Sequence, residues 1–233
     1  MPVRAAAHSR GRSVAFPPYV AGGSAGDPER SAAEAGRRAC ATIRRYCAAN
    51  RLNRLGPLTY RGSGCHDPAR VREHLGSFFR DLRTSTGGKP FAYAWVPEWH
   101  ISGHGLHAHF AVGRHIRRSA IDAVWGRGFV HIKLLGDLPV GSTNLSEARR
   151  AAGYLSKYVS KSFAEPDTRV MGLHRYDVAQ GFKPRPVIVT GSSAADVLGT
   201  ASAVFDSAPS TEWSSSSVED WQGPPAIWAQ WGR

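Results

Sequence analysis

Trp95-Val96-Pro97-Glu98-Trp99-His100-Ile101-Ser102-Gly103-His104-Gly105-Leu106-His107-Ala108-His109-Phe110-Ala111-Val112 is the stretch whose reading decides the fold. Two runs of aromatic and branched residues flank Ser-Gly-His-Gly, the pattern of a β-hairpin, and the glycines permit a tight reversal. Side chains alternate across a strand, so His107 and His109 share a face with Ala108 turned away between them. A turn centred on Gly103-His104 places Ile101 opposite Leu106, His100 opposite His107 and Glu98 opposite His109. Directly opposed residues share a face, so these side chains converge on one patch. Glu98 is a charge within an otherwise apolar strand, and such a charge needs a partner if buried. The patch is a candidate metal site of His107, His109 and Glu98, with His100 in reserve as third ligand. A His-x-His pair by itself is common in ordinary strands, and a slip of one residue would turn Glu98 and His100 to the other face. His104 and His115 read as surface histidines.

Upstream, Leu58-Thr59-Tyr60 reads as the heart of a first strand, ended by Gly62-Ser63-Gly64. Asp67-Pro68 then supplies a cap and first turn for a helix with Val71, Leu75, Phe78, Phe79 and Leu82 on one face. Thr86-Gly87-Gly88 closes it. Further back, Ser31 to Glu34 has the form of a capping box that opens a helix reaching about Ala49. From Arg37 to Arg72 there are nine arginines and one acid, Asp67. A run so one-sided favours contact with a phosphate backbone over a merely solvated face. Arg44, Arg45 and Arg61, with Thr59 on the strand between, are the candidate DNA-binding residues. Residues 1–30 lack periodicity and read as a flexible basic tail. Cys40, Cys47 and Cys65 with His66 match no zinc ribbon or knuckle.

Downstream, Arg117 to Trp125 is amphipathic and reads as helical, and Phe129 to Leu135 alternates as a strand would. Strands interspersed with helices, two of them in a hairpin, indicate an α+β fold. A helix follows around Ala151 to Lys161. At 100° per residue Tyr154, Lys157, Tyr158 and Lys161 fall at about 0°, 300°, 40° and 340°, one stripe roughly 100° wide. An aromatic stripe at this spacing is normally core, yet interleaved lysines are rarely buried unless paired. A cation near a tyrosine stabilises its phenolate, which makes the hydroxyl a better nucleophile. The chain beyond Phe163 adds a strand or wraps the core, and residues 191–233, Ser-rich with Trp213, Trp221, Trp228 and Trp231, read as a disordered tail or a docking segment.

The net charge of +12 and pI near 10.3 point to a polyanionic partner, most often nucleic acid. No apolar run is long enough for a membrane span. The first residues hold no apolar signal core, so a cytoplasmic location is expected. No Gly-x-x-x-x-Gly-Lys-Ser/Thr occurs, which excludes a phosphate loop of helicase type.

Glu98, Gly105-Leu-His107-Ala-His109-Phe, the Leu58-Thr59-Tyr60 strand and Tyr154-x-x-Lys157-Tyr158-x-x-Lys161 together carry a resemblance. From about residue 37 to 165 the chain resembles the HUH endonuclease superfamily. Within it the likeness is to two-tyrosine rolling-circle replication initiators, such as small-phage A proteins and actinobacterial plasmid or phage Rep proteins. The resemblance implies a central, about five-stranded antiparallel sheet, His-x-His on a central strand, and the tyrosine helix laid across it, within an endonuclease domain of residues 31–190. It implies that His107, His109 and Glu98 hold Mg²⁺ or Mn²⁺, and that Tyr154 and Tyr158 attack a phosphate of single-stranded origin DNA. The implied product is a 5′-phosphotyrosine link with a free 3′-hydroxyl. Lys157 and Lys161 would steady the phenolate or the phosphate, and a host helicase and polymerase would complete replication. A transposase or relaxase of the same chemistry stands as one alternative. A non-catalytic basic DNA-binding protein with a structural metal stands as another.

Overall fold

The computed structural model of the chain describes residues 3–5, 26–134, 144–164 and 174–231. In chain order the elements are β1 (Val3–Ala5), α1 (Pro28–Ala49), β2 (Arg54–Leu58), α2 (Pro68–Ser85), β3 (Tyr93–Trp99) and β4 (Leu106–Val112). There follow α3 (Arg118–Trp125), β5 (Lys133–Leu134), α4 (Asn144–Ala164), β6 (Asp177–Val178), β7 (Val187–Val189), α5 (Ala194–Phe205), β8 (Thr211–Ser214) and β9 (Ile227–Gln230). They divide into two compact units, Val20–Pro184 on one side and Met1–Tyr19 with Arg185–Arg233 on the other.

The larger unit is the expected α+β layer. Its sheet has five strands in the order β5-β2-β4-β3-β6, and every pairing is antiparallel. β4, which carries both histidines, lies in the middle. Alternation along the strands sorts the two faces. Trp95 on β3 and Ala108, Phe110 and Val112 on β4 pack with Val71, Leu75, Phe78, Phe79 and Leu82 of α2 and with Ile121 and Trp125 of α3. Ala94 and Val96 on β3 and Ala111 on β4 pack on the opposite side with Ile43 and Tyr46 of α1 and Ala152, Leu155 and Val159 of α4. Glu98, His107 and His109 have the same parity as this second set, so the chemistry-bearing face is the one that α4 covers.

The hairpin register differs from the expected one by two residues. Glu98 pairs with His107, Val96 with His109, and Trp99 with Leu106. The reversal runs from His100 to Gly105, whose carbonyl accepts the His100 N–H at 2.8 Å. Gly103 and Gly105 both stand at positive φ, 77° and 80°. A Cβ on Gly105 would come within 2.5 Å of the Cys65 carbonyl oxygen, so only glycine allows the close approach there. His100 therefore leaves the ladder. Because the shift is even, no side chain changes face.

Two helix starts share one device. α1 begins at Pro28 with Asp27 as its cap, and Oδ1 of Asp27 accepts the Arg30 N–H at 2.9 Å. Asp67 caps α2 in the same way, ahead of Pro68. The capping box expected at Ser31 does not form, since an upstream Asp-Pro already supplies the acceptor and a preset φ. Glu34 instead bonds Arg37 at 2.6 Å. The first strand ends at Leu58, although Thr59 still exchanges backbone bonds of 3.0 and 3.2 Å with Phe129. The strand expected from Phe129 to Leu135 shrinks to β5 and one bridge between Leu58 and Val130. Leu135 lies outside the described residues.

In the smaller unit β1 runs parallel to β7, and α5 is capped by Ser193. β8 and β9 form an antiparallel pair with Trp213 opposite Trp228, and Trp231 stacks on Phe205 at 4.9 Å. Residues 191–233, read from the sequence as a disordered tail or a docking segment, carry α5, β8 and β9; of residues 1–30, only 3–5 and 26–30 are described. Among the described residues no helix is long and apolar enough to cross a membrane.

Phe78 is fully buried and meets Phe79, Phe110 and Trp125 edge to face. Phe78→Ala should destabilise the larger unit by about 3–5 kcal/mol, read from the urea midpoint of its unfolding.

Candidate functional site

Three donor atoms meet on the α4 side of the β3–β4 ladder. His107 Nε2 lies 2.9 Å from His109 Nε2 and 3.3 Å from Glu98 Oε2, while His109 Nε2 lies 3.0 Å from that same oxygen. Adjacent ligands about 2.1 Å from one octahedral ion are roughly 3.0 Å apart, so the triangle has the dimensions of one face of such a coordination shell. Glu98, His107 and His109 thus form a group able to hold a metal ion. Among the described residues no cysteine joins such a group; all three cysteines are free.

The donors are in the right protonation states. Burial and the neighbouring His107 push the His109 imidazole down to about 4. Burial likewise lowers His107, against the opposing pull of Glu98. Burial would raise the Glu98 carboxyl, but hydrogen bonds from Lys161 and His109 outweigh it and hold the group below its ordinary value. Two neutral imidazoles and one carboxylate result, a donor set suited to Mn²⁺ and tolerable for Mg²⁺. Nδ1 of His107 is buried without a hydrogen-bond partner among the described residues, so this imidazole lacks the second-shell acceptor that ligating histidines usually have.

The tyrosine helix lies directly over this face. The ring of Tyr158 stacks on His109, with centroids 3.7 Å apart and planes 11° from parallel. Tyr154 meets the same imidazole edge to face at 6.0 Å, and the Tyr158 hydroxyl donates to the Tyr154 hydroxyl at 2.5 Å. Lys161 Nζ donates to Glu98 Oε1 at 2.7 Å, leaving Oε2 for the imidazoles. The expected stripe therefore divides. Tyr154, Tyr158 and Lys161 gather at the histidines, whereas Lys157 lines a cleft with Arg44 of α1. Burial, the bond to Tyr154 and the charge of Glu98 raise the Tyr158 phenol rather than lower it.

The remaining candidates are spread out. His100 Nδ1 bonds the Ser102 hydroxyl at 2.6 Å, and its ring is 5.4 Å from that of His107. His104, expected at the surface, is half-buried and bonds the Tyr60 carbonyl at 3.1 Å; His115 is exposed. Arg44 Nε donates to Ser156 Oγ at 3.0 Å. Arg45 is exposed one position on. Thr59 bonds the Phe129 carbonyl, and Arg61 is exposed just beyond it. The structure does not gather these four. Sequence reasoning missed Ser156, a buried hydroxyl that ties α1 to α4, and the pairing of Lys161 with Glu98. No local signal links residues 63 positions apart.

His109 makes stability depend on acid. Its folded value near 4 lies below the ordinary 6.5, so the unfolded chain takes up the proton first. Stability is then full above about pH 6.5 and declines as pH falls towards 4. In EDTA the protein should lose about 2 kcal/mol between pH 7 and pH 5 through this residue, measured by urea unfolding. His109→Gln should remove most of that difference; an equal loss in the variant would exclude His109 as its source.

Residues 53–163 match the family model described as replication-associated protein ORF2/G2P. Neither the curated proteins nor the solved structures gave a match. The matched segment holds every strand of the larger unit's sheet except β6, all three donors and both tyrosines. This part of the chain is similar to the replication-associated ORF2/G2P proteins.

Proposed function

We propose that the protein is a replication initiator that nicks and rejoins single-stranded origin DNA by tyrosine transesterification, as in rolling-circle replication. The observation that carries this reading is the stacking of Tyr158 on His109, which sets a pair of bonded phenols beside a three-donor cation site. In this reading Glu98, His107 and His109 are the metal ligands and Tyr154 and Tyr158 the nucleophiles. A divalent cation bound there supplies Lewis-acid polarisation of a phosphate oxygen.

One tyrosine oxygen attacks phosphorus. The new bond is O–P to tyrosine, and the bond broken is that to the 3′ oxygen, which departs as a hydroxyl carrying a proton. The attacking phenol gives up one proton and the departing 3′ oxygen takes up one, so the protons balance across the step. The product is a 5′-phosphotyrosine, which conserves the phosphodiester, so attack by a 3′-hydroxyl rejoins the strand without a nucleotide cofactor. Two phenols within bonding distance allow one to hold a strand while the other cuts the next. Lys161 acts as the counter-ion that orients Glu98. The free 3′-hydroxyl suits a host polymerase, with unwinding done by a host helicase.

The test incubates the protein with single-stranded DNA from its replicon and Mn²⁺, then separates covalent adducts on a denaturing gel. An adduct should form with the wild-type chain, fall by at least about 100-fold in the Tyr154→Phe/Tyr158→Phe double variant, and vanish in His107→Ala. An adduct undiminished by the double variant sinks the tyrosine assignment. Salt-sensitive DNA binding should survive His107→Ala; its loss together with cleavage would indicate a structural metal instead.

A further inference from the structure

A groove between α1 and α4 begins at Lys161, the residue bonded to Glu98, and runs on along the two helices. Its first part is a cleft of about 470 Å³ lined by Cys40, Arg44, Ser156, Lys157, Ser160 and Lys161. Its second part, about 790 Å³, shares Cys40, Arg44 and Ser160 and continues along Ala33 and Gly36 to Phe163. The two parts differ in chemistry. The first is cationic: Lys161 is matched by Glu98, but neither Arg44 nor Lys157 has an acidic partner among the described residues. Arg44 is held in place through its Nε by the buried Ser156 hydroxyl, and that hydroxyl in turn donates to the Gly153 carbonyl at 2.8 Å. Two cations that line one cleft without acidic partners repel unless an anion lies between them.

The second part is apolar. α1 comes so near α4 here that a Cβ on Gly36 would stand 3.2 Å from Phe163. Small residues and the Phe163 ring form most of its walls; Arg44 and Arg37, the latter paired with Glu34, also line it, and Glu29 is its one acid. A strip of fixed positive charge leading into an apolar recess fits a strand whose phosphates face one way while an unstacked base turns the other. A duplex keeps its bases inside and offers no base to such a recess.

We propose that the α1–α4 groove carries the single strand next to the cleaved phosphate, with Arg44 and Lys157 on its phosphates and an unpaired base in the apolar half. Lys157 is then a strand-holding residue rather than a partner of the phenolate. This assignment deepens the nickase reading and rests on it for the position of the cleaved phosphate.

Binding is measured by fluorescence anisotropy with a labelled oligothymidine in EDTA, using full-length chain carrying Tyr154→Phe and Tyr158→Phe. Neither metal nor cleavage enters the readout. Lys157→Gln and Arg44→Gln should each weaken binding several-fold and reduce the slope of log affinity against log salt by about 0.7, the value for one phosphate contact on a single strand. Ser160→Asp, an exposed change that puts an anion in the groove, should weaken binding further. An oligonucleotide made abasic throughout should bind less tightly than oligothymidine, and Ala33→Leu, which fills the apolar half, should abolish that difference. Unchanged salt slopes in both charge variants, or equal affinity for the abasic and thymidine strands, overturns the groove assignment. Failure of the wild-type chain to form a covalent adduct is a separate result that bears on the nickase reading alone.

Discussion

Glu98 is a carboxylate set inside a sheet, and its two oxygens satisfy two different elements. Oε2 faces the imidazoles of the neighbouring strand, and Oε1 accepts from Lys161 on the covering helix. Without Lys161 the carboxylate would keep an uncompensated charge in a largely dry place, and without the imidazoles one oxygen would lack a partner, which is costly. The requirement couples the hairpin register to the rotation of α4. Turning α4 by one residue would carry Lys161 about 100° away and lift Tyr158 from His109. The contact that neutralises the acid is therefore the contact that lays the tyrosines over the histidines.

Much of this was legible in the sequence, and the reason is periodicity. The face of a strand residue depends only on whether its position is odd or even. The sequence reading misplaced the turn yet still put Glu98, His107 and His109 on one face, because an error of two residues leaves parity intact. The buried stripe from Val71 to Leu82 was legible for the same reason at helical period, and Asp67-Pro68 because a cap and an N1 proline are local signals. The start of α1 was not, since Asp27-Pro28 and Ser31 to Glu34 both carry a start signal and local rules do not rank them. The pairing of Lys161 with Glu98, the Arg44–Ser156 bond and the groove that follows from it depend on how two distant helices pack. The close passage of the His131 carbonyl at Gly56, where any side chain would collide with it, is likewise a tertiary contact that no local signal reports.

The lysines of the tyrosine motif show how a pattern read as one function separates into two. On a helical wheel Lys157 and Lys161 belong to one stripe, and a common role beside the phenols follows. In space the stripe is wider than the sheet site can use. Lys161 points to the carboxylate, and Lys157 falls on the shoulder where α1 packs, close to Arg44. The tight α1–α4 packing that creates this shoulder is set by small residues: Gly36 and Ala39 on one helix, Ala152 and Ser156 on the other.

The raised Tyr158 phenol gives the division its chemical sense. Burial, the Tyr154 hydroxyl and the negative charge of Glu98 all favour the protonated form, so the lysine nearest that ring is spent on the carboxylate and does not lower the phenol. Under the proposed function, a phenol kept neutral in this way attacks a phosphate only when positive charge beyond that of Lys161 reaches the same oxygens. The three-donor triangle is the place where such charge fits, and it adjoins the ring that needs it. The three-donor group and the Tyr158 ring are thus linked through Glu98, which on the proposed function gives a use to an acid in a strand where an apolar residue would have packed at lower cost.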